Sequence, residues 1–203
     1  MKKIILASNN AHKIKEMKEL LDDINVKVTS LKEESIEIDV VEDGITFEEN
    51  AKKKATEIAK YLRDRGDKDF IVIADDSGLE VDCLNGKPGI YSARYAGEHG
   101  NDTKNNLKLL DEMIGIPIEK RGAQFVCQIA LVNSNNEILS VRGEVRGRIL
   151  DNLNSEGGFG YDPLFFYEPM QKTFDDMSAE EKNSVSHRGR ALQELKDKIN
   201  GFL

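Results

Sequence analysis

The stretch Phe70-Ile71-Val72-Ile73-Ala74-Asp75-Asp76-Ser77-Gly78 decides how this chain is read. Five apolar residues rich in Ile and Val mark a buried strand. Two adjacent carboxylates after such a run are costly to desolvate unless a metal ion, a basic partner or open solvent relieves them. Gly78 then permits a sharp turn. The pattern predicts a strand whose tip presents Asp75 and Asp76 at the mouth of a cleft, where open α/β sheets place ligands. The plain alternative is a strand ending in a solvated turn, as most Asp-Ser-Gly sequences do.

Strands and helices alternate on either side of this stretch. Lys3 to Ala7 reads as a strand, Ser8-Asn9-Asn10 as a polar turn, and Ala11 to Leu21 as a helix with Ile14, Met17, Leu20 and Leu21 at helical spacing. Asn25 to Leu31 suits a second strand, and Glu33 to Gly44 is acidic and irregular. Thr46 and Glu49 form a capping-box signature for a helix running to about Arg65, with Gly66 placed to close it. Leu79 to Asp82 alternates like a half-buried strand, and Asn85-Gly86 and Pro88-Gly89 are turn pairs. A helix from Thr103 to Ile114 sets Leu107, Leu110, Met113 and Ile114 on one side. Ala123 to Val132 and Glu137 to Leu150 read as a hairpin about Asn133-Ser134-Asn135-Asn136. Ser178-Ala179-Glu180-Glu181 starts a further helix. Ser186 caps a last one to about Asn200, with Ala191, Leu192, Leu195 and Ile199 inward. The mixture predicts an α/β fold with a mixed central sheet and flanking helices.

At 203 residues, with 39% apolar and 33% charged residues, the chain suits one sizeable domain over 1–203, with room for two lobes. No Gly/Ser-rich or Pro-rich linker and no internal repeat divides it. Four apolar residues after Lys2-Lys3 are too few for a signal core, and no run approaches the roughly 20 needed to span a bilayer. Cys83 and Cys127 form neither a metal-binding spacing nor a disulfide framework, so a cytoplasmic protein without a membrane partner is expected. A net charge of −8 argues against a nucleic-acid partner, yet it leaves room for a small anion met by local positive charge or a cation.

Five loops carry candidate chemistry. Ser8-Asn9-Asn10-Ala11-His12-Lys13 joins a strand to a helix, so backbone N–H groups, the helix dipole and the Lys13 charge suit an anion; the alternative is a polar cap with a solvated lysine. It lacks Walker spacing. Gly157-Gly158-Phe159-Gly160-Tyr161-Asp162-Pro163 offers close backbone approach, two aromatic faces for stacking and an acceptor for a base or ribose; the alternative is a tight loop whose aromatics pack inward. Lys182 and Ser186-His187-Arg188 put basic groups at a helix start, against the dipole, where they suit a carboxylate, a phosphate or a purine carbonyl, or simply face water. Glu42-Asp43-Gly44 can place Glu42 beside Asp76 on one divalent cation, Mg²⁺ by its chemistry, or merely complement the next helix dipole. Pro88 to Gly97 holds two tyrosines and Arg94, the last a partner for Asp75 or Asp82 or part of a dimer contact.

Six segments occur in order: Ser8-Asn9-Asn10 through Lys13 with Glu16; Glu42 through Ala51; Ala74-Asp75-Asp76-Ser77-Gly78-Leu79; Pro88-Gly89 through Gly97; Gly158 through Pro163; and Ser186-His187-Arg188. Together they resemble the inosine triphosphate pyrophosphatase family, over essentially the whole chain. The resemblance implies an α/β fold of that family's kind (Maf-like as well), with two lobes around a nucleotide cleft, assembled as a homodimer. It implies Mg²⁺-dependent cleavage of a nucleoside triphosphate to monophosphate and pyrophosphate, with ITP, dITP and XTP preferred over ATP and GTP. By matching motifs it makes Ser8, Asn9, Asn10, Ala11, His12, Lys13, Ser77, Phe159, Gly160, Tyr161, Asp162, Lys182, His187 and Arg188 substrate-binding, and Asp76 the acid at the reacting centre. The first loop reads Ser-Asn-Asn where many relatives have Thr-Gly-Asn, which keeps its hydrogen-bonding capacity.

On this reading water attacks the α-phosphorus, Asp76 with Glu42 holds Mg²⁺ or draws a proton from the water, and Phe159 stacks on the purine. Lys182, His187 and Arg188 would read its edge. Asp75 orients its neighbour or is purely structural. Three rivals stand beside it: an aspartic protease, which needs a second Asp-Ser-Gly that the chain lacks; a nucleotide sensor, which needs no carboxylates there; and a pyrophosphatase for another base.

Overall fold

A computed structural model describes residues 3–22, 26–155, 158–199 and 202. Its elements are β1 (Lys3–Leu6), α1 (Ala11–Leu20), β2 (Lys27–Ser30), α2 (Phe47–Arg65), β3 (Phe70–Val81), α3 (Asp102–Glu112), β4 (Gly122–Asn133), β5 (Ile138–Ile149), β6 (Phe165–Tyr167), β7 (Lys172–Thr173), α4 (Ala179–Val185) and α5 (His187–Ile199). The strands form a seven-stranded sheet in the order β2-β1-β3-β4-β5-β6-β7. β1 runs parallel to β2 and β3, whereas β6 is antiparallel to β5 and β7. This is the mixed α/β sheet the sequence predicts. No helix among the described residues is long and apolar enough to cross a membrane.

The chain divides into two compact units. One comprises 1–76, 127–143 and 188–203, the other 77–126 and 144–187. In the first unit β1 is buried at Ile4, Ile5 and Leu6 alike, because helices cover both faces of the sheet. Ile4, Leu6, Ile71 and Ile73 pack with Met17 of α1 and with Leu192 and Leu195 of α5. Ile5, Phe70, Val72 and Ala74 pack with Ala51, Ala55 and Ile58 of α2. Side chains alternate along a strand. Asp75 therefore follows Ile71 and Ile73 to the α1/α5 face, and Asp76 follows Val72 and Ala74 to the α2 face. The ends of α2 are set by its sequence. Thr46 accepts from the Glu49 N–H, and Gly66 closes the helix at φ +91°. Glu49 returns its bond to the Ile45 N–H at 2.8 Å.

The second unit buries Leu79, Val81, Leu109, Met113, Phe125, Val145, Ile149, Phe165 and Phe174 together. Phe125, Phe165 and Phe174 meet at ring distances of 4.6 to 5.7 Å. Ser178 and Glu181 complete the capping box of α4.

Three expectations change. β3 does not stop at Ala74 but runs through both aspartates to Val81, and Gly78 makes no positive-φ turn. The buried face of α3 carries Asn105, Asn106, Leu109 and Met113, while Leu107 and Ile114 are exposed. That helix turns inward the amides that bond neighbouring loops. Asp82 pairs with Arg146, and Arg94 lies over the Tyr91 ring. Ser186 stands where the sequence places it, in extended backbone directly before α5, and it also closes α4. The strand start at Asn25, Gly157 of the glycine loop and the helix end at Asn200 lie outside the described residues.

Candidate active site

In the first unit the two aspartates of β3 have opposite surroundings. Asp75 is 1% exposed. Its Oδ2 lies 2.9 Å from Lys13 Nζ and 3.4 Å from Arg188 Nη2. Arg188 is buried and pairs also with Glu16. Burial works to raise the Asp75 pKa. The charges of Lys13, Arg188 and Lys54 outweigh it and hold the carboxyl well below the usual range.

Asp76 is also buried, and its Oδ2 accepts from Asn50 Nδ2 at 2.9 Å. Here burial prevails over the opposing Lys13, Asn50 and Lys54, and the Glu42 charge adds to it. The carboxyl is pushed up to about 6. Glu42 itself pairs with Lys54 at 2.6 Å, and Lys54 Nζ also donates to the Asp75 carbonyl at 3.0 Å. Asn50 joins the acidic loop to the strand: its Oδ1 accepts from Gly44 N–H at 2.8 Å. A Cβ on Gly44 would stand 2.7 Å from that oxygen, so the loop can approach only with glycine there. Asn50 was not among the residues predicted for the site. Its signal was a polar residue on the inward side of α2, one turn after the cap.

The first loop is organised by its own side chains. Asn10 caps α1, its Oδ1 accepting from His12 N–H at 3.0 Å and Lys13 N–H at 3.1 Å, and Ser8 Oγ accepts from Asn10 N–H at 3.2 Å. Those two helix N–H groups are therefore satisfied internally, and the positive group the loop offers is Lys13, half-buried beside Asp75. Asn9, Ala11 and His12 are exposed. Among the described residues no group of three or more His, Cys, Asp or Glu side chains is placed to hold a metal.

The second unit assembles the aromatic loop. Lys182 Nζ bonds Asp162 Oδ2 at 2.7 Å and lies 5.6 Å from the centre of the Phe159 ring. Asp162 is buried. Tyr161, expected as a second stacking face, is instead 3% exposed, and its hydroxyl donates to the Ser92 carbonyl at 2.8 Å. Burial raises its pKa far above the ordinary phenol. The ring supports the loop from behind. Gly158 takes φ +87°, and a Cβ there would come within 2.2 Å of Asp175 Oδ1. His187 stacks on Phe125 at 4.8 Å. Ser77, the first residue of this unit, is half-buried on β3.

Chemically, the first unit offers a proton-holding carboxylate, a second acid and cations able to meet a polyphosphate. The second offers a ring face with an ammonium and a carboxylate beside it, suited to a heterocycle. A family model described as the Ham1 family matches residues 4–198. The chain is 60% identical over 203 residues to a dITP/XTP pyrophosphatase of Clostridium perfringens, covering 100% of both. It is 47% identical to a protein of the same name from Clostridium tetani, covering 100% of this chain and 98% of that one. Among solved structures, the Staphylococcus aureus Ham1 protein superposes with a TM-score of 0.85 at 44% identity, covering 100% of both chains.

Proposed function

The chain belongs to the Ham1 family, and on that premise we propose that it hydrolyses dITP, ITP and XTP to the monophosphate and pyrophosphate. The observation that carries this is the pair Asp75-Asp76: one carboxylate is neutralised by Lys13 and Arg188, and the other is left buried with its proton affinity raised.

Asp76 and Glu42 would hold Mg²⁺. Two carboxylates, one of them driven up by burial and its neighbour's charge, suit an ion that takes one or two protein carboxylates and fills its other positions with water and phosphate oxygens. When bound, Mg²⁺ supplies positive charge to the phosphate oxygens. Lys13, anchored by Asp75, presents its ammonium to the triphosphate. A water oxygen forms a bond to the α-phosphorus as the bond to the bridging oxygen of pyrophosphate breaks. Asp76, ionised above about pH 6, orients that water or accepts its proton. Positioning and charge neutralisation carry most of the rate.

In the second unit, Phe159 stacks on the purine, and Lys182, oriented by Asp162, donates to its edge. A 6-keto purine presents an acceptor where adenine presents a donor, so a donor at that edge disfavours adenine through an unpaired buried group. The enzyme acts as a homodimer in the cytoplasm; the exposed Tyr91, Leu107, Ile114 and Ile118 of the second unit support self-association.

Incubation with a panel of triphosphates and Mg²⁺, followed by pyrophosphate assay, tests the proposal. Release from ITP, dITP and XTP well above that from ATP and GTP is expected. Faster turnover of another base would move the assignment to a pyrophosphatase of different preference, and no release from any would end it.

A further inference from the structure

α3 turns polar side chains inward where an apolar face is expected, and two of them take hold of one residue of the aromatic loop. Asp102 Oδ2 accepts from the Gly160 N–H at 2.8 Å. Asn106 Nδ2 donates to the Gly160 carbonyl at 2.7 Å and to the Asp102 carbonyl at 2.9 Å. Both backbone groups of Gly160 are thus held from side chains one helical turn apart. Gly160 follows Phe159 directly and has φ +60°, with open space where a Cβ would stand. Glycine is required there by backbone angle and not by crowding, so the definition of this residue comes from outside it.

Holding it this way has a cost. Asn106 is 4% exposed, and its Oδ1 finds no hydrogen-bond partner among the described residues. The two carbonyls beside Nδ2 fix which end of the amide is nitrogen. A buried acceptor without a donor is destabilising, whereas leucine fills the same volume without one. A local rule broken with no gain to packing points to function.

We propose that Asp102 and Asn106 are positioning residues for base recognition: by fixing the peptide that follows Phe159 they set the plane of its ring, and with it the affinity for the purine. The inference rests on the reading that Phe159 meets the base.

The test compares Asn106→Leu, Asp102→Ala, Asp102→Asn and Phe159→Ala with the unaltered full-length protein. Kinetics are measured on ITP, and ribose 5-triphosphate, which has no base, is measured as a competitive inhibitor. Asn106→Leu and Asp102→Ala are expected to raise KM for ITP about tenfold with kcat within about threefold, the loss of one well-formed hydrogen bond. Since only the base is affected, the ratio of the ribose 5-triphosphate inhibition constant to the ITP KM should fall by the same factor. Asp102→Asn keeps an oxygen facing the Gly160 N–H and should restore KM to within about threefold. Asn106→Leu removes one partnerless acceptor and leaves another, the Gly160 carbonyl, so it should melt within about 4 °C of the unaltered protein, which separates positioning from unfolding.

If KM and the inhibition constant rise in step, or if KM stays put while Phe159→Ala raises it, the positioning role is overturned and the pyrophosphatase reading survives. If Phe159→Ala itself leaves KM for ITP unchanged, stacking falls and takes this inference with it, while pyrophosphate release from ITP stands or falls on its own assay.

Discussion

Replacing Asp76 with Asn should stabilise the metal-free protein while removing its activity, and the same change one residue earlier should destabilise it. The Asp76 carboxyl is pushed up from 3.8 to about 6, chiefly by burial. A shift of about two units corresponds to about 3 kcal/mol. The folded state holds this proton more tightly than the unfolded chain. Asp76 therefore contributes stability below about pH 4 and loses it as pH rises toward about 6, beyond which a buried anion is a standing cost. The amide introduced by Asp76→Asn carries no charge and can still accept from Asn50 Nδ2. Its gain should be about 3 kcal/mol at pH 8 and about half that at pH 5. At about 2–4 °C per kcal/mol for a chain of this size, that is up to about 6–12 °C at pH 8. Asp75 has the opposite linkage. Its depressed pKa gives stability that is present above the unfolded value and lost as pH falls below it. Asp75→Asn removes the counter-charge between Lys13 and buried Arg188 and should cost about 3–5 kcal/mol. Thermal melts of the three proteins in EDTA at both pH values, beside pyrophosphate assays with Mg²⁺, read every arm. If Asp76→Asn melts at or below the unaltered protein at pH 8, or retains near-normal turnover, the account of the two carboxylates is wrong.

Two further outcomes follow from the same geometry. Below pH 6, Mg²⁺ must displace the Asp76 proton, so its apparent affinity should climb with pH and level off above about 6, with proton release visible as buffer-dependent heat in calorimetry; an affinity flat from pH 5 to 8 would remove Asp76 from the metal. On α3, Leu109→Ser should cost about 2–5 kcal/mol and Leu107→Ser within about 0.5, measured by urea denaturation; equal costs would contradict the assigned buried face.

Much of the first unit was legible because its signals are local. Thr46 and Gly66 bound α2, Asn10 starts α1, and the run from Phe70 to Ala74 with its two acids marks the place where charge enters the core. β3 runs past the end that its sequence suggests for a definite reason. The cost of burying Asp75 can be read from its neighbours in sequence, but its relief comes from Lys13 and from Arg188, the latter 113 residues away. β6 and β7, at three and two residues, are too short to leave a period. α3 keeps Met113 and Leu110 inward but turns out Leu107 and Ile114, because the rule that apolar residues point inward takes no account of amides recruited to hold loops, as Asn105 holds Ala96 N–H and Asn106 holds Gly160. Phe159 and Asp162 are marked in the sequence by the glycines around them, and Lys182 by the basic residues that follow it. That Tyr161 is a prop rather than a platform needed its partner Ser92, 69 residues away.

The dependence of Asp75 on Arg188 also orders events at the ribosome. Arg188 lies 172 residues after Glu16, and α5 supplies Ala191, Leu192, Leu195 and Ile199 to the layer that covers Ile4, Leu6, Ile71 and Ile73. A nascent chain that has already extruded β1, α1 and β3 still has one side of that sheet covered by α1 alone and its acid short of a guanidinium. Strands made early in this stretch are thus finished by a helix made later in it. A message cut before codon 188 would yield a product with an open apolar face and an ill-matched charge, the kind of surface that chaperones and proteases recognise.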